Sequence, residues 1–290
     1  MNIGVAANCE LRNNGTFAYC HAALKGLAGL DVQHFQPRGE VPKKDFWIYI
    51  DDGRDDLQWL PPHPCAYYAI DTHLGYGYRL WKARQFDRVF VAQKDAVGQM
   101  KRDGVENVAW LPLGCHPAAH ISRQEFIDRG APAEDLKQDW DVAFVGFLND
   151  SREVGFNNRV DYLDRLFREF PNSWLSVNVF FEEMALRFVR ARLGFNISIK
   201  RDLNMRVFEV MSTGTALLTN RNVEGIDDFF EEGVDYFGYE SPEEMIEAAH
   251  AALADPDNLA RVAASAFQKV RSKHTYADRM KVIVEEMAHV

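Results

Sequence analysis

The densest run of residue types able to do chemistry lies at residues 197–233, ISIKRDLNMRVFEVMSTGTALLTNRNVEGIDDFFEEG. A short strand there enters a polar loop, residues 200–204, and a helix begins near Met205 with Glu209 about one turn inside it. Gly214 closes the helix, and residues 216–218 run on as a buried strand. A helix start of this kind presents backbone N–H groups and the positive end of the helix dipole, a setting for a diphosphate. Glu209, one turn in, suits a neutral diol such as ribose, because a carboxylate would repel the phosphates themselves. A second group, Asp71-Thr72-His73, ends an apolar strand and precedes Gly75, Tyr76 and Gly77. His73 is of the type most often used for proton transfer near neutral pH, and Asp71 could orient it. In an extended segment residues i and i+2 point the same way, so the two would act together. The plainer alternative makes Asp71 a cap and His73 a packed wall residue.

The elements that must position these groups alternate between strand and helix. Strands are expected at 3–7, 32–35, 46–50, 66–70, 88–92 and 108–111, with helices at 17–27, 80–85 and 95–102. Residues 46–50 (FWIYI) are continuously apolar, as in a strand buried on both faces. Residues 115–140 carry prolines, charge and little periodicity, and a domain junction is expected there. The alternation then restarts, with strands at 141–145, 175–180, 196–199, 216–219 and 236–239. Helices are expected at 159–170, 182–193, 205–212, 242–253, 257–273 and 276–287. A capping box is expected from Ser241 to Glu244. The pattern is that of two α/β domains with parallel, doubly wound sheets. The expected division is 1–125, 126–274 and a terminal helix at 275–290 that packs back across the junction. Ligands of such sheets bind at the carboxyl ends of the strands, so the expected site is a cleft between the domains.

A length of 290 residues suits two domains of this size. The formal net charge of −10 speaks against a general nucleic-acid surface, which is normally basic. No apolar run reaches the roughly 18 residues of a membrane helix, and the start of the chain lacks the basic region of a signal peptide. Cys9, Cys20, Cys65 and Cys115 show no CxxC pairing and no histidine at zinc spacing, and are expected as reduced thiols in a cytoplasmic protein. Asp51 and Asp52 are read as a solvated turn, and no metal site is expected.

The pattern N-x-R-x-F-E-x-x-x-x-G, formed by Asn204, Arg206, Phe208, Glu209 and Gly214, resembles the nucleotide-binding helix of GT-B glycosyltransferases. The closer resemblance is to the CgeB-like, spore-maturation-protein-type branch, which has a group 1 glycosyl transferase domain at its C-terminal end. Further pieces that resemble it are DVAFVG at 141–146, LLTN at 217–220, FFEEG at 229–233 and HTYADRM at 274–280. IDTH at 70–73, FDRVFVAQK at 86–94 and WLPLGCHP at 110–117 belong to the same set, so the resemblance covers about residues 65–288.

The resemblance implies a GT-B fold, two Rossmann-like domains facing a cleft, and transfer of a sugar from a nucleotide diphosphate donor, a UDP-sugar, to a hydroxyl-bearing acceptor. The acceptor is left open among glycan, small molecule, protein and modified nucleic acid, the assembly between monomer and homodimer, and no cofactor beyond the donor is implied. Asn204, Met205, Arg206 and Glu209 would bind the nucleotide. Gly146 and Arg152, in the loop after residues 141–145, suit the donor phosphates, with Arg159 a second candidate cation. Asn13, Asn14 and Gly15 follow the first strand, where GT-B relatives often set a glycine-containing loop against acceptor or phosphate; an ordinary Asn-Gly turn is the alternative. Retaining relatives carry two glutamates separated by seven residues. The second matches Glu209, and the first falls on Arg201, so the carboxylate that would touch the donor sugar is replaced. Arg201 or Arg206 could neutralise the diphosphate, where leaving-group charge develops. A catalytically inactive sugar-nucleotide binder and a sugar-nucleotide epimerase of the same fold are the rival expectations.

Overall fold

The computed structural model describes residues 1–7, 15–35, 40–51, 59–148 and 157–290. The chain forms two compact units, Met1–Leu113 with Tyr276–Val290, and Gly114–Thr275. The expected division was at residue 125.

The first unit contains β1 (Asn2–Ala7), α1 (Thr16–Gly26), β2 (Asp31–His34), β3 (Phe46–Ile50), β4 (Cys65–Ala69), α2 (Tyr76–Ala83), β5 (Arg88–Val91), α3 (Lys94–Arg102) and β6 (Val108–Trp110). The strands form one parallel sheet in the order β2-β1-β3-β4-β5-β6. Every residue of β3 and of β4 is buried, which is why both read as unbroken apolar runs. Trp47, Tyr49, Tyr67 and Phe86 build the core on one face of this sheet.

The second unit contains α4 (Arg123–Asp128), β7 (Trp140–Val145), α5 (Asn157–Glu169), β8 (Trp174–Ser176), α6 (Phe181–Val189), β9 (Ala191–Asn196), α7 (Met205–Ser212), β10 (Ala216–Asn220), β11 (Phe237–Tyr239), α8 (Pro242–Ala254) and α9 (Pro256–Lys273). Its strands are again parallel, in the order β11-β10-β9-β7-β8. Phe144, Phe195, Leu218 and Tyr239 fill its core. The last helix, α10 (Tyr276–Met287), rejoins the first unit and packs on α1, β4 and β5. There the rings of Tyr19 and Tyr276 stack at 5.5 Å, and Arg279 Nε donates to the Pro112 carbonyl at 2.9 Å. Among the described residues no helix is long and apolar enough to cross a membrane.

Several local expectations are corrected. The strand expected at 175–180 is only Trp174–Ser176. Residues 191–193 were read as the end of a helix and 196–199 as the next strand, but α6 stops at Val189 and β9 runs from Ala191 to Asn196. The apolar spacing runs on across the break, so periodicity alone did not reveal it. Gly194 then sits in the middle of β9 against α7, where an added Cβ would lie 2.4 Å from Val210 Cγ1. At α8 only half of the expected box forms: Ser241 Oγ accepts from the Glu244 N–H at 3.1 Å, while the Glu244 carboxylate turns to the Glu240 N–H. A reciprocal box appears instead at α4, between Ser122 and Glu125, in a stretch that had no helical reading. Asp51, expected in a solvated turn, is fully buried; Arg79 Nε donates to it at 2.5 Å and the Tyr67 hydroxyl at 3.1 Å.

Because Val210 is β-branched and buried, it cannot swing away from a methyl at position 194. Gly194→Ala should destabilise the second unit by about 1–3 kcal/mol, as overpacking does. Gly26→Ala, where nothing stands within 4 Å of the new methyl, should leave the melting temperature unchanged. Equal melting temperatures for the two variants would show that α7 and β9 are not in this close contact.

Candidate functional site

In a doubly wound sheet the ligand crevice opens where the strand order reverses, outside the carboxyl ends. In the second unit the chain runs from β7 to β8 on one side and returns to β9 on the other, so the reversal lies between β7 and β9. A cavity of about 190 Å³ lies at that point, lined by residues 144–147, Arg159, Asn196, Asn204, Met205, Arg206 and Glu209. It brings together five residues expected from sequence: Gly146, Asn204, Met205, Arg206 and Glu209. Gly146 follows β7, and a Cβ there would meet the Phe144 ring at 2.6 Å, so a larger residue would have to displace that ring.

Asn204 occupies the N-cap position of α7, yet its side chain does not cap the helix. It reaches back instead, Nδ2 donating to Asn196 Oδ1 at 3.1 Å and Ser198 Oγ at 3.3 Å. Asn204 Oδ1 is buried with no hydrogen-bond partner among the described residues. The first turn of α7 thus opens at the mouth of this cavity without a cap from the Asn204 side chain.

Two guanidiniums share the cavity. Arg159, in the first turn of α5, donates to the Phe147 and Ile197 carbonyls, both at 3.1 Å, and so ties the end of β7 to the end of β9. Burial and the nearby Arg206 charge lower its pKa to about 10. Two like charges held this close raise the affinity of the site for an anion. Arg206 is held by Glu209, one turn along α7, with Nη1 to Oε2 at 2.6 Å.

Glu209 is fully buried, and its other oxygen lies 3.2 Å from His120 Nε2. His120 Nδ1 accepts from the His116 N–H at 3.0 Å, so a neutral ring carries its proton on Nε2, facing the carboxylate. Burial alone would raise the Glu209 carboxyl, but Arg206 and His120 hold it below the ordinary range. Arg271 of α9 closes the far end of α7, donating to the Ser212 carbonyl at 3.1 Å and pairing with Glu125 at 2.6 Å.

Arg201 lies apart from this group. It lines a neighbouring cavity of about 230 Å³ with Lys200, Asn220, Asn222 and Glu240; Arg159 borders both cavities. Lys200 and Arg201 have φ of 49° and 61°, a left-handed pair that costs energy for residues with a Cβ. The Arg201 carbonyl accepts from the Glu224 N–H at 2.9 Å and its Nε donates to the Asn222 carbonyl at 3.0 Å, so the loop after β10 holds this turn.

In the first unit Asp71 and His73 follow β4, as expected, but not as an extended pair. Asp71 has φ 57°, and the Leu74 N–H donates to its carbonyl at 2.9 Å, which makes 71–74 a tight turn. Gln93 Oε1 fixes this turn, accepting from the Thr72 N–H and hydroxyl at 3.0 and 2.8 Å. The backbone is therefore not extended as inferred from sequence, yet the Asp71 carboxylate and the His73 ring still lie within 4.8 Å of one another. Gly15 is the N-cap of α1; Asn13, Asn14 and Arg152 lie outside the described residues. Asn196, Arg159 and His120 complete the cavity and its support. Arg159 was only an alternative in the sequence, and a lone histidine in an aperiodic stretch gave no signal.

A carboxylate with a lowered folded pKa stabilises the protein above its unfolded value, near pH 4.5, and that contribution fades as pH falls through the folded value. Glu209→Gln should cost about 3 kcal/mol at pH 7, the low end for breaking a buried pair, because Arg206 keeps some access to water. The gap in melting temperature from the unsubstituted protein should narrow toward pH 3. A gap that is constant with pH would mean that the charge of Glu209 is not what holds α7.

Residues 147–285 match the protein-family model described as glycosyl transferase-like. No curated protein matches the chain in sequence. Among solved structures, an alpha-glucosyltransferase in complex with UDP and a 13-mer DNA containing an HMU base is similar at a TM-score of 0.68 and 12% identity, over 99% of each chain. The same enzyme type in complex with UDP matches at 0.66 and 12%, over 99% of this chain and 100% of that one. HepE from Anabaena, in complex with UDP and glucose, matches at 0.65 and 11%, over 99% and 100%. Residues 147–285 are thus glycosyl transferase-like, the whole chain has the GT-B fold, and together these support a transferase.

Proposed function

We propose that the chain moves a sugar from a nucleoside-diphosphate donor to a hydroxyl-bearing acceptor, with the donor held in the second unit. The observation that carries this reading is the pair Arg159 and Arg206 beside the start of α7, at the point where the strand order reverses. A diphosphate carries charge opposite to that of the two guanidiniums, and the helix start adds N–H donors. Asn204 Oδ1 offers an acceptor for a sugar hydroxyl. Met205 and Gly146 supply the walls. Glu209 is assigned to holding Arg206 toward the phosphates, since its oxygens face Arg206 and His120; contact with a ribose would require it to exchange one of them. Arg201 and Lys200 border the adjoining cavity, where the rest of the donor has room.

The UDP in the similar structures supports a UDP-sugar as donor. Two arginines and a helix start can stabilise the leaving group without a divalent ion, and we infer that transfer needs none. The pieces at 70–73, 86–94, 110–117 and 274–280 are our ground for the CgeB-like branch. On the acceptor side the first unit offers Asp71 and His73 at the end of β4, and we assign proton transfer to His73 with Asp71 beside it in the same turn.

UDP should bind in the presence of excess EDTA, and at 100 times its dissociation constant it should stabilise the protein by about 2.7 kcal/mol. Arg206→Ala and Arg159→Ala should each weaken UDP binding by at least about tenfold, as for a lost charge-assisted hydrogen bond. Reversible loss of binding in EDTA, or unchanged affinity in both variants, would contradict the assignment.

His73→Ala should lower transfer about 100-fold or more, the usual size of a general acid-base contribution, with UDP affinity unchanged. Normal turnover with a lowered melting temperature would make His73 a packing residue.

A further inference from the structure

At the opposite end of β4 from Asp71 and His73 stands a group that the transfer chemistry does not use. His63, Cys65 and Asp87 place a ring nitrogen, a sulfur and a carboxylate oxygen within 4.8 Å of one another. His63 Nδ1 is 2.7 Å from Asp87 Oδ2 and 3.7 Å from Cys65 Sγ. We propose that His63, Cys65 and Asp87 form a binding site for a zinc-like divalent ion, with solvent as the remaining ligand.

The donor set is mixed N, S and O, the set that zinc and its borderline-soft neighbours take, whereas calcium and magnesium ask for oxygen alone. A tetrahedral zinc with bonds of about 2.0–2.3 Å sets its donors roughly 3.4–3.6 Å apart. The nitrogen–sulfur distance of 3.7 Å is already close to this. The nitrogen–oxygen distance must open, and the His63 side chain, 64% exposed, is free of the packing that would prevent it.

The backbone holds the other two ligands in place. Cys65 is the first residue of β4, and Asp87 directly precedes β5. The Asp87 N–H donates to the Cys65 carbonyl at 3.0 Å, and the Cys65 N–H donates to Asp87 Oδ2 at 2.7 Å. Asn107 Nδ2 donates to the carbonyls of Phe86 and Asp87, both at 2.7 Å, and anchors the turn into β5 from the other side. Such outer contacts orient metal ligands and strengthen binding. The sulfur is buried while His63 and part of Asp87 face water, so an ion has both a protected sulfur donor and a way in.

The position defines the role. The group lies at the amino end of β4, and ligands of doubly wound sheets are handled at the carboxyl end. The ion would therefore clasp the segment 63–65 to the start of β5 and take no part in sugar transfer. This leaves the expectation of metal-independent transfer unchanged, and makes a melting shift, not turnover, the readout.

The test uses the full chain stripped of metal with a chelator, then titrated with Co²⁺ and with Zn²⁺. One equivalent of Co²⁺ should give thiolate-to-cobalt absorption, and Zn²⁺ should displace it and raise the melting temperature. Cys65→Ser should remove the absorption. His63→Ala changes an exposed side chain and so should keep the fold; it should weaken Zn²⁺ binding by at least about tenfold. No thiolate–cobalt absorption in the unsubstituted chain, or Zn²⁺ affinity unchanged in His63→Ala, would overturn the proposal.

Discussion

A carboxylate with no access to water stays charged only if it is paired, and the candidate site is organised around one that is. Glu209 binds Arg206 on one side and His120 on the other. The first contact aims a guanidinium into the cavity. The second fastens α7 to the segment before α4, whose carbonyl at His120 also accepts from Ser212 Oγ at 3.2 Å and from Arg271 at 3.0 Å. Both ends of α7 are thereby fixed: the far end by Arg271 and Ser212, the near end by the Asn204 side chain reaching back to β9. A helix held this firmly presents its first N–H groups in one place, which is what a phosphate site requires.

The sheet explains why that place is a cavity. β7 and β9 are neighbours in the sheet, but their chains leave in different directions, which opens the space that Arg159 spans from Phe147 to Ile197. Gly146 and Gly194 serve this arrangement at its two critical approaches, one against the Phe144 ring and one against Val210. The chain as a whole is acidic, with a net charge of −10, yet Arg159, Arg206, Lys200 and Arg201 gather around these two adjoining cavities. A local positive field of this kind raises the concentration of anions at these cavities even on an acidic chain.

Much of the fold was legible because its signals are local. The runs 46–50 and 276–287 and the helix 205–212 match their elements to the residue, since continuous apolar character and a helix start with a glycine stop leave little ambiguity. The break between α6 and β9 was hidden because apolar residues keep helical spacing across it, and only the packing of Val210 on Gly194 shows which period wins. At the site, the residues of one segment were found together, from Asn204 to Glu209, whereas their distant partners were not. His120 lies 89 positions before Glu209 with nothing periodic around it. What Glu209 does is likewise a matter of partners: its type suggests a sugar diol, and its burial between Arg206 and His120 shows a charge already engaged. The turn at 71–74 also escaped the sequence, because a left-handed aspartate has no signature of its own.

We propose that the cavity between the ends of β7 and β9 and the start of α7 holds the diphosphate of a sugar donor. A crystal structure of the chain with UDP tests it most directly. Phosphate oxygens are expected within hydrogen-bonding distance of Arg206, Arg159 and the N–H groups of the first turn of α7, with Glu209 still paired to His120. UDP bound elsewhere on the chain, with this cavity and its two guanidiniums untouched, would contradict it.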